Sequence, residues 1–216
     1  MGTKKITILG FSEGYITMLF DMSNDTEFEI IDNLNIYNRD GIFNPDVSYT
    51  VNNEFLFDPN KKYLYGSGKS QTRSILKNKF DIPLENLSTV ISDDSFVSNT
   101  SKIGSGCVIN PKCTIAGKTI IGDNVFINRN VSIGHHTIIG NNTSINPGVN
   151  IAGHIEIGEN CQIGMGATIL DHIKIGNNTV IGAGSVVTKD VPDNVVAYGV
   201  PSKIIKNNVT YNNTTI

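Results

Sequence analysis

From Ile91 to Val187 every sixth residue is a β-branched aliphatic, and no insertion or deletion breaks the run. The series passes through Val97, Ile103, Ile109 and Ile115 and fills seventeen consecutive places. Neither a helical period of about 3.6 nor the alternation of a long strand produces it. Short strands joined by turns do. The residue four places after each aliphatic and the aliphatic of the next repeat are two apart, so both point inward. The residue between them points outward, and there stand Lys102, Ser132, Glu156, Gln162 and Lys174. Gly follows the aliphatic at positions 104, 122, 134, 140, 158, 164, 176 and 182. Gly and Asn supply turn conformations that bulkier residues resist. The pattern predicts a stack of short parallel strands around an interior of isoleucine.

Residues 1–84 follow another pattern. An apolar strand at 5–9 ends at Gly10, a helical stretch at 13–22 follows, and a second strand at 28–31 runs into Asp32 and Asn33. A third strand at 63–65 precedes Gly66-Ser67-Gly68 and a helix-like 69–80. This βαβ-like alternation predicts a small parallel sheet. The Asn-rich tail from Asn207 is expected to fray.

Composition removes several function classes. The chain has 216 residues and a net charge of −3, so it lacks the basic footprint of a nucleic-acid binder. No apolar run approaches the ~18 residues of a membrane span, and the first residues lack the core of a secretory signal. Cys107, Cys113 and Cys161 show neither a disulfide framework nor CxxC spacing. All three fall on inward places and read as core. A cytoplasmic protein without membrane insertion is expected.

Several stretches carry a family resemblance. Ile121-Gly122-Asp123-Asn124, Ile157-Gly158-Glu159-Asn160, the run from Ile181 to Val187 and the ending TKDVPDNVVAYGVPSK resemble the hexapeptide-repeat acyltransferases. The resemblance implies a mainly β protein: a left-handed parallel β-helix with three hexads per coil, preceded by a small α/β, Rossmann-like domain. The implied domains are 1–84, 85–192 and a closing segment 193–216. Domain plus prism resembles the nucleotide-sugar acetyltransferases of the bacillosamine N-acetyltransferase and sialic acid O-acetyltransferase type. That subgroup implies acetyl-CoA as co-substrate, no metal, a nucleotide-linked amino sugar acetylated on an amino or a hydroxyl group, and a homotrimer with sites between neighbouring prisms.

Residue by residue, Ile133-Gly134-His135-His136-Thr137-Ile138-Ile139-Gly140 matches the stretch that holds the family's general base. His135 falls on that base, and His136 replaces the acid that normally follows it. Eighteen-residue steps put His136, His154 and His172 at one corner of three successive coils. Ser144 stands where the family often has a second His and could donate toward the thioester. Gly153 falls where a backbone N–H meets the thioester carbonyl, and Met165 and Ala183 match positions along the pantetheine arm. No acyl-enzyme nucleophile is evident, so transfer would be direct.

Ser12, Glu13 and Gly14 stand in place of the family's Gly-rich loop, and with Asp32, Asn33 and Gly66 they make the implied nucleotide-sugar site. Gly66-Ser67-Gly68-Lys69-Ser70 mimics a phosphate loop, but Tyr63 breaks the spacing. Two alternatives remain open at this point. A zinc hydratase of the γ-carbonic anhydrase type would use His136 and His172, 36 apart, though residue 177 is Asn. A catalytically degraded scaffold is the other.

Overall fold

The computed structural model describes residues 4–10, 13–22, 26–31 and 55–209. In the N-terminal part, β1 (Lys4–Leu9) runs between β2 (Thr26–Ile31) and β3 (Lys62–Tyr65), parallel to both. Helices α1 (Glu13–Met22) and α2 (Ser70–Phe80) complete this unit. The expected parallel sheet is therefore present, with β2 opening two residues before the expected position 28. Ile8 and Leu9 of β1 are fully buried, one in each of two apolar clusters. The strand separates two cores, as expected of a central parallel strand.

The repeat folds into seventeen two-residue strands, from β4 (Val90–Ile91) to β20 (Val186–Val187). Strands β4 to β17 each pair in parallel with the strand eighteen residues on, so Phe126–Ile127 meets Ser144–Ile145 and Ser132–Ile133 meets Asn150–Ile151. Three sheets result, the faces of a left-handed β-helix. Strands from Val90–Ile91 to Val180–Ile181 make the first face, those from Phe96–Val97 to Val186–Val187 the second, and those from Lys102–Ile103 to Lys174–Ile175 the third. The inward isoleucines, Val125, Val131, Val149 and the three cysteines form one core. The thiols of Cys107, Cys113 and Cys161 donate to the carbonyls of Gly122, Asn128 and Gly176, each at 3.0 Å. Burial pushes the Cys107 and Cys161 thiols up to about 11. They stay protonated and inert, in keeping with a core role.

Each corner needs one residue in the left-handed region, three places after the inward aliphatic. Between the third and first faces these are Gly106, Asn124, Asn142, Asn160 and Asn178. Between the first and second they are Lys112, Asn130, Gly148, Gly166 and Gly184. Between the second and third they are Lys118, His136, His154 and His172. Gly and Asn reach this conformation with little strain. The last corner uses neither.

The outward residues of the first face are not solvent-exposed as the hexad pattern alone implies. Val108 and Phe126 pack with Ile6, Tyr15, Ile16, Leu19 and Leu64, so the N-terminal unit covers this face. Arg73 of α2, 2% exposed, fastens the two parts. Its guanidinium donates to the carbonyls of Ser67, Asn124, Asn142 and Thr143 at 3.0–3.1 Å and to Ser144 Oγ at 3.0 Å.

At the other end, β21 (Val195–Gly199) extends the first face and β22 (Ser202–Asn207) turns back along it. The start of the tail does not fray. Asn208 is buried, with its N–H donating to the Asn194 carbonyl and its side chain to the Asn178 carbonyl. Residues 210–216 lie outside the described part. Among the described residues no helix is long and apolar enough to cross a membrane.

Candidate active site

The second-to-third corner gathers all four histidines of the chain. Backbone hydrogen bonds set their spacing: His136 N–H donates to the Gly117 carbonyl, His154 N–H to that of His135, and His172 N–H to that of Gly153. The rings of His136, His154 and His172 stack in a column, with centroids 4.8 Å apart at each step. His135 stands edge-on to both His136 and His154. All four are exposed.

His135 and His136 share a hydrogen bond of 2.9 Å between their Nδ1 atoms. Only one of the two can carry the proton. When His135 donates, its Nε2 keeps a free lone pair and can act as a base. Partial loss of water, the Lys118 ammonium and the imidazoles of His154 and His135 hold His136 below the usual imidazole range. A neutral His136 can accept the His135 proton, which a protonated one cannot.

Gly153 lies one coil beyond His135 in the same column. A methyl group there would come within 3.0 Å of His135 Cε1 and 3.2 Å of its Nε2. The backbone at Gly153 therefore forms the floor beneath the His135 ring. Its N–H has no acceptor among the described residues. A free donor beside a base is the arrangement that stabilises a developing oxyanion.

Residues 118–153 and 154–189 match the bacterial transferase hexapeptide (six repeats) family. The matched residues lie wholly within the coil, which has the hexad spacing that this family model describes. No curated protein sequence matches the chain. Among solved structures, the acetyltransferase domain of PglB from Neisseria gonorrhoeae is similar, with a TM-score of 0.80 at 22% identity over 94% of this chain and 100% of that one. A mutant perosamine N-acetyltransferase from Caulobacter crescentus, solved with CoA and GDP-perosamine, gives 0.79 at 23% identity over 94% and 97%. WeeI from Acinetobacter baumannii gives 0.75 at 23% over 94% and 100%. The likeness in fold spans the N-terminal unit as well as the coil.

Within the hexapeptide coil the other expected residues separate. Ser144 is on the first face, 1% exposed, donating to the Gly68 carbonyl and accepting from Arg73. It fastens the N-terminal unit and is not open to a thioester, because the covering unit consumes its hydroxyl. Met165 and Ala183 stack on successive coils of the first-to-second corner, joined by the Gly184 N–H to the Met165 carbonyl, and both are exposed. His135 and Gly153 are thus brought together, while Met165 and Ala183 occupy a different edge.

Gly66 packs against the carbonyl oxygen of Gly10, so a side chain has no room there. Its N–H donates to the Leu9 carbonyl. Gly14 is exposed in the first turn of α1, and Glu13 opens that helix. Ser12, Asp32 and Asn33 lie outside the described residues.

A cleft of about 290 Å³ between α1, the 67–69 loop and the coil was not anticipated as a unit. Gly14, Ser67 and Gly68 line it, with Lys69 and Arg129 as cations and Asn128, Asn146 and Gln162 as amides. The sequence did carry a signal. Asn128, Asn146 and Gln162 border or lie on the first face at spacings near eighteen, beside the Gly66–Ser70 stretch.

Proposed function

We propose that the protein is an acetyl-CoA-dependent acetyltransferase acting on an amino group of a nucleotide-linked sugar, with His135 as general base. The observation that carries this reading is the 2.9 Å His135–His136 bond above the free Gly153 N–H. In the reaction, the acceptor amine attacks the thioester carbonyl carbon and His135 Nε2 takes the amine proton. The Gly153 N–H donates to the resulting oxyanion. Collapse breaks the carbon–sulfur bond, and the departing thiolate takes the proton back from the imidazolium. Three inert cysteines fit direct transfer without an acyl-enzyme.

The 290 Å³ cleft is the acceptor site in this reading. Lys69 and Arg129 meet the diphosphate and the amides the sugar hydroxyls. Support comes from the likeness in fold to a perosamine N-acetyltransferase solved with CoA and GDP-perosamine. The cleft and the Met165–Ala183 column lie toward the first-to-second edge, whereas the base lies on the next edge. A homotrimer resolves this separation, because each prism can present its histidine corner to the cleft of a neighbour. Acetyl-CoA and nucleotide sugars are cytoplasmic metabolites, so the enzyme works there. The zinc hydratase reading loses ground, since His154 stands between the rings of His136 and His172.

The test is release of CoA thiol from acetyl-CoA across a panel of nucleotide-linked amino sugars. His135→Ala should lower kcat/KM about 10²–10⁴-fold. Light scattering should give three chains. No turnover with any amino sugar, or a monomer with full activity, would overturn the proposal.

A further inference from the structure

The histidine corner holds more donor atoms than a base needs. His135, His136 and His154 each bring a ring nitrogen within 4.8 Å of the others, and all three rings are open to solvent. A tetrahedral ion with Zn–N bonds of about 2.0–2.1 Å places its nitrogen ligands about 3.3 Å apart. His135 Nδ1 and His136 Nδ1 already stand 2.9 Å apart. His154 has to close the remaining gap by rotation of its exposed side chain, which exchanges its stacking between His136 and His172 for a bond to the ion.

The second observation is the backbone. Elsewhere the left-handed corner positions are mostly Gly and Asn, yet at this corner His136 and His154 take φ of 57° and 58°. Their Cα atoms are fixed one coil apart by the His154 N–H bond to the His135 carbonyl. The three imidazoles therefore spring from a rigid edge, which lowers the ordering cost of joining them at one ion.

The geometry points to a binding site for one divalent transition-metal ion of the zinc, nickel or copper class, held by His135, His136 and His154, whose occupancy switches acyl transfer off. Imidazole-only donors select ions of this class over magnesium or calcium. The inhibition follows from proton placement and rests on the acetyltransferase reading. A neutral imidazole has one N–H. Coordination through Nδ1 of His135 moves its proton to Nε2, and the lone pair that would accept the amine proton is gone. No bond to the substrate is made or broken by the ion. It acts as an antagonist of the base and not as a cofactor.

Cobalt(II) is the probe for binding, on untagged full-length protein freed of metal. One equivalent per chain should bind with the strong visible absorption of a tetrahedral nitrogen site, and zinc should displace it. His154→Asn keeps a residue suited to the left-handed corner and should weaken cobalt binding at least about tenfold, as loss of supporting groups alone does at known sites. His172→Asn, one coil further on, should leave it unchanged. Zinc should then inhibit thiol release at the concentrations that displace cobalt, and a chelator should restore the rate. For His154→Asn, measured against its own metal-free rate, the zinc midpoint should rise by the same factor as the cobalt affinity falls.

Absence of stoichiometric cobalt binding, or binding indifferent to His154→Asn, overturns the site. Cobalt binding without zinc inhibition overturns the switch. If cobalt binds as described but no amino sugar is ever acetylated, the metal site stands and the acetyltransferase reading fails. Active, His135-dependent transfer that zinc leaves untouched upholds the acetyltransferase reading and overturns the switch.

Discussion

Replacing Arg73 with Met keeps most of the volume of its side chain but removes the guanidinium that joins α2 to the coil. Five hydrogen bonds of 3.0–3.1 Å go with it, as does its position 5.9 Å from the Phe126 ring centre. Their losses are unequal. The Thr143 carbonyl still accepts from the Phe126 N–H, and Ser144 Oγ still donates to the Gly68 carbonyl. The carbonyls of Ser67, Asn124 and Asn142 lose the guanidinium donor. A buried acceptor left without a donor costs about 1–3 kcal/mol. Water entering from the neighbouring cleft recovers part of that, so the total comes to about 3–5 kcal/mol, similar to breaking a buried charge network.

This cost falls on docking and not on the coil, whose isoleucine core Arg73 does not touch. Hydrogen exchange followed by mass spectrometry separates the two. Arg73→Met should lose protection in β1, β3 and α2, while amides of the coil between residues 150 and 187 keep theirs. In the acetyl-transfer assay the acceptor KM should rise, because the cleft wall formed by Ser67 and Gly68 is no longer held. Equal loss of protection across the coil would refute the argument, and so would unchanged protection in α2.

Gly153→Ala should lower kcat about tenfold or more with acetyl-CoA affinity nearly unchanged, because the new methyl displaces the base by a few tenths of an ångström; circular dichroism should show an intact coil. His136→Asp should raise kcat/KM and move its acid limb to higher pH. A carboxylate fixes the productive His135 tautomer and stabilises imidazolium, and Asp tolerates the left-handed corner at φ 57° where Glu is strained. A pH–rate profile that moves to lower pH would contradict this. Lys69→Ala and Arg129→Ala should each raise the acceptor KM with little change in kcat, and the effect should shrink as salt screens the diphosphate.

The coil was legible because its cause is local: each hexad fixes its own inward aliphatic, and repetition removes ambiguity about register. Cover over the first face was harder to read, yet the letters were present. Its outward places are Val90, Val108, Phe126, Ser144, Gln162 and Val180, four of the six apolar, whereas the third face has Lys102, Glu156 and Lys174 beside Ile120 and Ile138. The first three of these, Val90, Val108 and Phe126, are consecutive on the stack, and such an apolar patch points to a cover. Arg73 gave no such signal. It lies about seventy residues from the Asn142–Ser144 groups it holds, in a helix with no motif around it. A contact of that separation depends on tertiary docking and leaves no mark on the local pattern.

The histidine corner was legible as a column, but its backbone was not, and the backbone changes what the column means. A left-handed residue other than Gly costs on the order of 1 kcal/mol or more, with Asn and His among the better tolerated. Two corners of the prism meet that requirement mainly with Gly and Asn. On the third, Lys118 is followed by three histidines, each side chain heavier than its conformation requires. The stacked rings return some of that cost through contact with one another, but Asn at all three places would remove it. The two-residue sequence His135-His136 adds a hydrogen bond between rings that no turn needs. Strain at one edge, repeated on consecutive coils and joined to a proton-sharing pair, is what supports the proposal that this edge carries the base, with the other two serving structure and substrate.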